Sequence, residues 1–338
     1  MFNVFVGRQS QVLIRGIYQS KLLKKVCAHN SRTSVFGVNM STLNLGIGKA
    51  TSNPFKRDGR VLISKMTTTG DLKNDILKAV DIIGGFNKVI NKGDQVLLKP
   101  NFNSADSPPA SSDPEFLKAI VELLFENGAG KVILGESSWQ GLATRKALER
   151  TGTLVGLKDT GAEIAFFDEE KYVKVDVAGK YLKQVSLAER AVQVDRIVYS
   201  CCMKTHFRAD FSLSLKLGFG FTKKRERMEF HIRHLKEKLV DLNLVVHPSL
   251  IIMDGRKCFI TGGPFSGEVR NPNVVLASGD RVAMDVESIK VIESFEGSKL
   301  KDDPWKYTQI RHATELGLGV KSEEEYAVVT EQEKINEG

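Results

Sequence analysis

The residue types best suited to chemistry in this chain fall between Met203 and His234. Lys204, Thr205 and His206 end an apolar run, Lys216 follows ten residues after His206, and His231 and His234 come later in the same basic stretch. Imidazole changes charge near neutral pH and ligates transition metals. A lysine flanked by Leu215 and Leu217 loses proton affinity through desolvation and can then serve as a nucleophile. The combination points to cofactor binding and proton transfer, with His206, Lys216 and Lys204 as catalytic candidates and His231 and His234 as metal ligands. The plainer alternative is a strand followed by a polar loop whose histidines are hydrogen-bonded structural residues.

These groups need a scaffold. Residues 196–203 are β-branched and apolar over the length of a buried strand. In open α/β sheets ligands sit beyond the carboxyl ends of strands, where Lys204 and His206 would fall. Four other apolar runs end similarly: 96–98 before Lys99-Pro100-Asn101, 132–134 before Gly135-Glu136-Ser137-Ser138, 250–253 before Asp254-Gly255, and 274–277 before Ser278-Gly279-Asp280. If all five strands are parallel, their ends share one rim. Lys99, Asn101 and Ser137 then become candidates for holding an anionic cofactor or ligand, and Asp254 and Asp280 further metal ligands. Gly263, in the glycine-rich segment 262–267, could bring backbone amides to an anion or simply turn the chain.

Helices are expected at 72–83, 114–126, 143–150, 186–193, 228–245, 281–295 and 306–316. The second has the plainest signals, with Asp113 as N-cap, Pro114 in the first turn and Gly128 past the end. The alternation of strands and helices predicts an α/β fold of mostly parallel sheets with flanking helices. We expect two lobes, 58–200 and 201–320, with the site in a cleft between them, and a frayed acidic tail over 321–338.

Charge separates the first 57 residues from the rest. Net charge is +8, yet nine of the 49 Lys and Arg precede Asp58, the first acid, leaving 40 bases against 41 acids in the body. The acid-free, amphipathic leader has the composition of a mitochondrial or plastid import segment or of a disordered extension; without import, the cytoplasm is expected. The basic residues around Lys223 lack the aromatic platforms of a nucleic-acid module, so nucleic acid is not an expected partner. No apolar run reaches membrane-spanning length, so a membrane is not an expected partner either. Four cysteines without C-x-x-C spacing argue against a structural zinc site or an iron-sulfur cluster.

The chain resembles the uncharacterised domain of unknown function 362 family. The resemblance rests on Leu98-Lys99-Pro100-Asn101, Ser112-Asp113-Pro114-Glu115, Met203-Lys204-Thr205-His206, the downstream Lys216, Gly218 and His231, Asp254-Gly255, Gly263-Pro264, and Ser278-Gly279-Asp280 with Ala283 and Asp285. Many relatives carry a four-cysteine ferredoxin segment that this chain lacks. The resemblance therefore implies, as an alternative to an enzyme, an accessory protein for an iron-sulfur or redox partner. Two local departures are Leu213-Ser214 before Lys216-Leu217, where relatives have Thr-Gly before Lys-Asn, and Asp280-Arg281 in place of Asp-Pro.

Over 203–234 the order His206, Lys216, then His231 or His234 also resembles the catalytic segment of the lactate racemase family. That resemblance implies His206 as acid/base, Lys216 as the anchor of a nickel-pincer nucleotide cofactor and a later histidine on the nickel. The combined expectation is an acid-base enzyme, of isomerase or racemase type or of another acid-base class, for a small carboxylate or phosphorylated ligand, with a transition metal or nucleotide-type cofactor.

Overall fold

A computed structural model describes Gly48 and residues 52–331; the remainder of the leader and the last seven residues lie outside the described part. Thirteen strands form the framework: β1 (Lys56–Arg57), β2 (Arg60–Thr67), β3 (Gln95–Lys99), β4 (Lys131–Glu136), β5 (Glu163–Phe166), β6 (Tyr172–Asp176), β7 (Gln184–Ala188), β8 (Arg196–His206), β9 (Asp210–Ser212), β10 (Leu250–Phe259), β11 (Val269–Arg270), β12 (Val274–Ser278) and β13 (Tyr326–Val329). Helices of about two turns or more are α1 (Leu72–Asp81), α2 (Pro114–Glu126), α3 (Thr144–Arg150), α4 (Lys224–Ile232), α5 (Leu235–Asp241), α6 (Arg281–Glu293) and α7 (Thr308–Glu315).

The fold is α/β. One large mixed sheet runs in the order β1-β2-β12-β10-β8-β3-β4-β5, with β13 beside β2. Its apolar residues separate by strand parity. Val198 of β8 joins Ile76 of α1 and Leu117, Ile120 and Leu124 of α2 on one face. Ile197, Tyr199, Cys201 and Met203 join Leu239 of α5, Ile289 of α6 and Ile310 of α7 on the other. Both faces are covered, which is why the central strands read as continuous apolar runs.

The sheet passes without a break through the expected lobe boundary at residues 200 and 201, which falls inside β8. Lys204, Thr205 and His206 are themselves part of β8, paired with β9, and do not lie beyond it. Four of the five apolar runs are parallel as expected, but β12 is antiparallel to β10 and pairs Ser278 with Ile251. Ser278-Gly279-Asp280 therefore leaves the sheet at the opposite rim.

Other expectations also change. Lys56–Arg57 of the leader pair with β2, and Phe55 just before them is fully buried. Residues 184–188 form β7, because alternate Val185 and Leu187 pack into the core; only the single turn Glu189–Val192 of the expected helix exists. The helix expected over 228–245 starts earlier and breaks at Arg233–His234, where His234 adopts φ 57°. The acidic tail is not frayed at its start: β13 pairs in parallel with β2, and the Tyr326 hydroxyl lies within hydrogen-bond distance of Glu287 and Glu323. Among the described residues no helix is long and apolar enough to cross a membrane.

Candidate functional site

The parallel strands β3, β4 and β8 bring Lys99, Glu136, Lys204 and His206 to one rim. Lys99 is fully buried, and its Nζ lies 2.7 Å from Glu136 Oε1 while also donating to the Pro100 carbonyl at 2.8 Å. Glu136 is held from its other side by the amides of Phe102 and Ser137. Gly220 is needed against this pair, since a Cβ there would come within 2.5 Å of Lys99 Nζ and 2.6 Å of Glu136 Oε1. Lys99 is thus engaged with a carboxylate and is not the free anion holder expected from its position.

The other cations here have no carboxylate hydrogen-bonded to them. Lys204, buried, donates to Asn101 Oδ1 and to the Ala110 carbonyl. Asn101 in turn is tied to Ser112 through its own amide, so its side chain serves to orient Lys204. Arg227 reaches inward from α4 and donates only to Thr222 and to the backbone carbonyls of Gly220, Thr222, Ser137 and Ser138. Lys216 Nζ has no hydrogen-bond or ion-pair partner among the described residues; it lies 5.6 Å from the centroid of Phe219. Burial, together with the nearby charges of Lys204, Arg227 and Lys99, pulls the Lys216 amine down to about 7.

The turn bearing Lys216 is fixed from behind. Asp285 of α6 accepts from Ser214 N, Ser214 Oγ and Leu215 N, and Asn243 donates to the Leu215 carbonyl. Lys216 is therefore held on a rigid support, although its own amine is free.

His206 differs from its expected role. Its Nδ1 accepts from the amides of Arg208 and Ala209, both at 3.1 Å, which leaves the ring proton on Nε2. Burial first, and then Lys216, Lys204, His231 and Arg208, drive its pKa down to about 2. His206 is a neutral imidazole that presents an N–H, with its lone pair already occupied. A base would need that lone pair.

His231 sits close enough to Lys216 and His206 to be felt electrostatically, and its Nδ1 bonds the Arg227 carbonyl at 2.7 Å. His231 and Arg227 are four apart on α4 and face the same way. The rest of the expected metal set is scattered. His234 is half exposed, with its ring against Tyr181. Asp254 is clamped by Arg256 through two oxygens, at 2.9 and 2.7 Å. Asp280 caps α6 and accepts from Val282, Ala283 and Val320 amides on the far rim. Among the described residues no group of three His, Cys, Asp or Glu side chains is gathered to hold a metal. The donor set does not fit a metal held by protein side chains alone.

Ser137 and Gly263 also find their places. Ser137 lies between Glu136 and Arg227, and its Oγ, like that of Ser138 and the Tyr172 hydroxyl, is buried without a hydrogen-bond partner. Gly263 backs onto β8, where a Cβ would strike the Thr205 carbonyl at 1.9 Å; close backbone packing is the reason for this glycine.

Arg227 and Gly220 are the residues that sequence reasoning missed. Arg227 sits among surface-type charges, and its spacing of four from His231 was the available signal.

A cavity of about 260 Å³ lies on the other side of Lys204, against the start of α2, lined among others by Ser111, Asp113, Cys202, Asp254, Arg256 and Asn273. It opens where β10 bulges between Asp254 and Cys258. Arg256 there joins Asp254 to Asp113, at 2.9 Å from the latter. Cys202 is buried, and burial raises its thiol to about 11, so it stays protonated.

Among curated proteins the chain is similar to the thylakoid-associated protein sll1697 of Synechocystis sp., at 27% identity over 233 residues, covering 67% of this chain and 71% of the relative. Among solved structures it is similar to the lactate racemase apoprotein of Thermoanaerobacterium thermosaccharolyticum, with a TM-score of 0.39 and 12% identity, covering 74% of this chain and 60% of the racemase chain. A family model matches residues 96–290, more than half of the chain and every residue of the cationic cluster. The chain belongs to the family described as Domain of unknown function (DUF362).

Proposed function

We propose that the protein is an acid-base enzyme for a small carboxylate or phosphorylated ligand that binds against Lys216, with Lys204 and Arg227 behind it. The observation that carries this reading is the charge imbalance. Among the described residues, three largely buried cations lack any carboxylate hydrogen bond: Glu136 is taken by Lys99, Asp168 near Arg227 is taken by Lys224, and Asp106 acts on Lys204 only through space. Buried charge without a counterion is costly, and an anion is the group that relieves it.

The roles follow from protonation. An amine near 7 can give or take a proton at working pH, the condition for efficient general acid-base catalysis. His206 supplies a neutral N–H to an oxygen on which negative charge develops, a task suited to an imidazole that cannot become imidazolium. These assignments exchange the roles that the racemase resemblance implies. The unpartnered hydroxyls of Ser137 and Ser138 belong to the residues whose carbonyls accept from Arg227.

The test is thermal unfolding with inorganic phosphate and with short-chain carboxylates. A ligand at a hundredfold excess over its Kd stabilises the fold by about 2.7 kcal/mol, and Lys216→Met should remove most of that gain. Affinity should fall as pH rises through 7, where Lys216 loses its proton. If neither anion class stabilises the protein, or Lys216→Met responds as the wild type does, the reading fails.

A further inference from the structure

Seven large apolar side chains are exposed in the described residues, and five of them, Trp139, Phe207, Met228, Ile232 and Phe265, lie on four segments that contact one another in a closed circuit. Trp139 meets Phe265 edge-on at 6.2 Å. The Phe265 loop accepts the Phe207 amide at the Gly263 carbonyl, at 3.3 Å. Arg208 then donates to the carbonyl of His231 at 2.7 Å, and Arg227 of the same helix closes the ring by donating to the Ser138 carbonyl at 2.9 Å, beside Trp139.

The circuit borders the cationic cluster through Arg227, and His206 and His231 also belong to its segments. Phe207 is 70% and Ile232 75% exposed, and Met228 and Ile232, four apart, share one stripe of α4. Exposed charge on the same segments is mostly positive: Arg208, Lys223, Arg225 and Arg233 against Glu229.

We propose that this rim is a docking face for an anionic lipid bilayer. Apolar side chains on loop tips and on one helix stripe can enter the headgroup region, while cations around them meet lipid phosphates. Solvent exposure of this much aromatic and aliphatic surface in one place is otherwise unfavourable. Charge complementarity selects the occupant: four arginines and lysines spread around separate apolar fingers match a fluid array of phosphates. Attachment is peripheral.

The full-length chain carries a basic leader that could bind vesicles by itself, so the readout must be local. Trp139 and Trp305 are the two tryptophans of the chain; in a Trp305→Phe background Trp139 reports on the rim alone. With phosphatidylcholine vesicles containing phosphatidylglycerol, Trp139 emission should shift to the blue and be quenched by lipids brominated in the acyl chain. Vesicles of phosphatidylcholine alone should bind far less. Replacing Phe207, Met228 and Ile232 together by Ser should cut binding at least tenfold with an unchanged circular dichroism spectrum. Each lost charge in Arg225→Gln and Arg233→Gln should cost about fivefold. Absence of vesicle binding, binding that leaves Trp139 unquenched, or a triple variant that binds as the parent does would each overturn the proposal, the second by assigning the affinity to the leader. Binding of a soluble protein by this rim, with none to vesicles, would overturn it as well.

Discussion

The two polar regions beside the end of β8 handle charge in opposite ways. Toward α4, the cluster of Lys99, Lys204, Lys216 and Arg227 has one carboxylate in its midst, and that carboxylate has both oxygens occupied. Toward α2, Arg256 lies between Asp254 and Asp113 and Lys257 lines the same cavity, so two acids meet two bases without any ligand. The first region is buried and unbalanced; the second is balanced and partly wet. A binding site for an anion must pay its desolvation in advance, and only the first region does so. The comparison also explains why volume alone misleads: the cavity is the more open space, yet its strongest donors are already engaged with its own acids.

The largest effect should come from Glu136→Gln. It leaves Lys99 buried and without its counter-charge, and breaking one partner of a buried pair costs about 3–5 kcal/mol. Denaturant unfolding would measure the loss, and added phosphate should restore part of it by supplying the missing negative charge. A loss below about 1 kcal/mol, the size of a surface pair, would mean that water reaches Lys99 and that the contrast between the regions is overstated.

Lys216→Met should act in the opposite direction. The folded-state pKa of Lys216 is lowered from 10.5 to about 7. Below pH 7 the amine is charged in both folded and unfolded chains, so the folded state carries the whole burial penalty. Between pH 7 and 10.5 the unfolded chain holds a proton that the folded chain has released, and stability from this group rises with pH. Removing the amine should therefore stabilise the fold at pH 6 by roughly 3 kcal/mol, the full shift discounted for the partial exposure of the Lys216 side chain, flatten the rise above pH 7, and remove most of the anion binding. A variant that is less stable at pH 6 would show that Lys216 already has a compensating partner.

The scaffold was largely legible from residue pattern because its strands are bounded by turn residues and its helices by caps. Asp113 and Pro114 start α2 where expected, and β3, β4 and β8 fall on their apolar runs. Strand direction was not legible. Nothing in 274–277 distinguishes a parallel from an antiparallel strand, so Asp280 seemed to join a rim from which β12 carries it away. Helix continuity failed at Arg233–His234, where the backbone turns left-handed at His234 and no periodicity signals the break. In the site itself His206, Lys216 and Lys204 were visible as residue types in an apolar context. Their protonation states were not, because these depend on the amides at Arg208 and Ala209 and on cations from β3 and α4 that no local window contains.

Asp254→Asn should give the smallest effect and the sharpest control. Its carboxylate accepts two hydrogen bonds from Arg256, yet Arg256 keeps Asp113 at 2.9 Å and remains partly open to solvent. Losing one partner of a pair that water can reach costs about 1 kcal/mol or less, so Asp254→Asn should unfold only slightly earlier in denaturant than the wild type. Its phosphate affinity should match the wild type, because none of Lys99, Lys204, Lys216 and Arg227 lines the cavity. Equal stability losses in Asp254→Asn and Glu136→Gln would mean that the two regions share one electrostatic environment. A change in phosphate affinity would instead place the cavity within the binding site. If both stay small, the cluster alone accounts for anion recognition, and the Asp113–Arg256–Asp254 triad is what keeps the bulge of β10 and the start of α2 together.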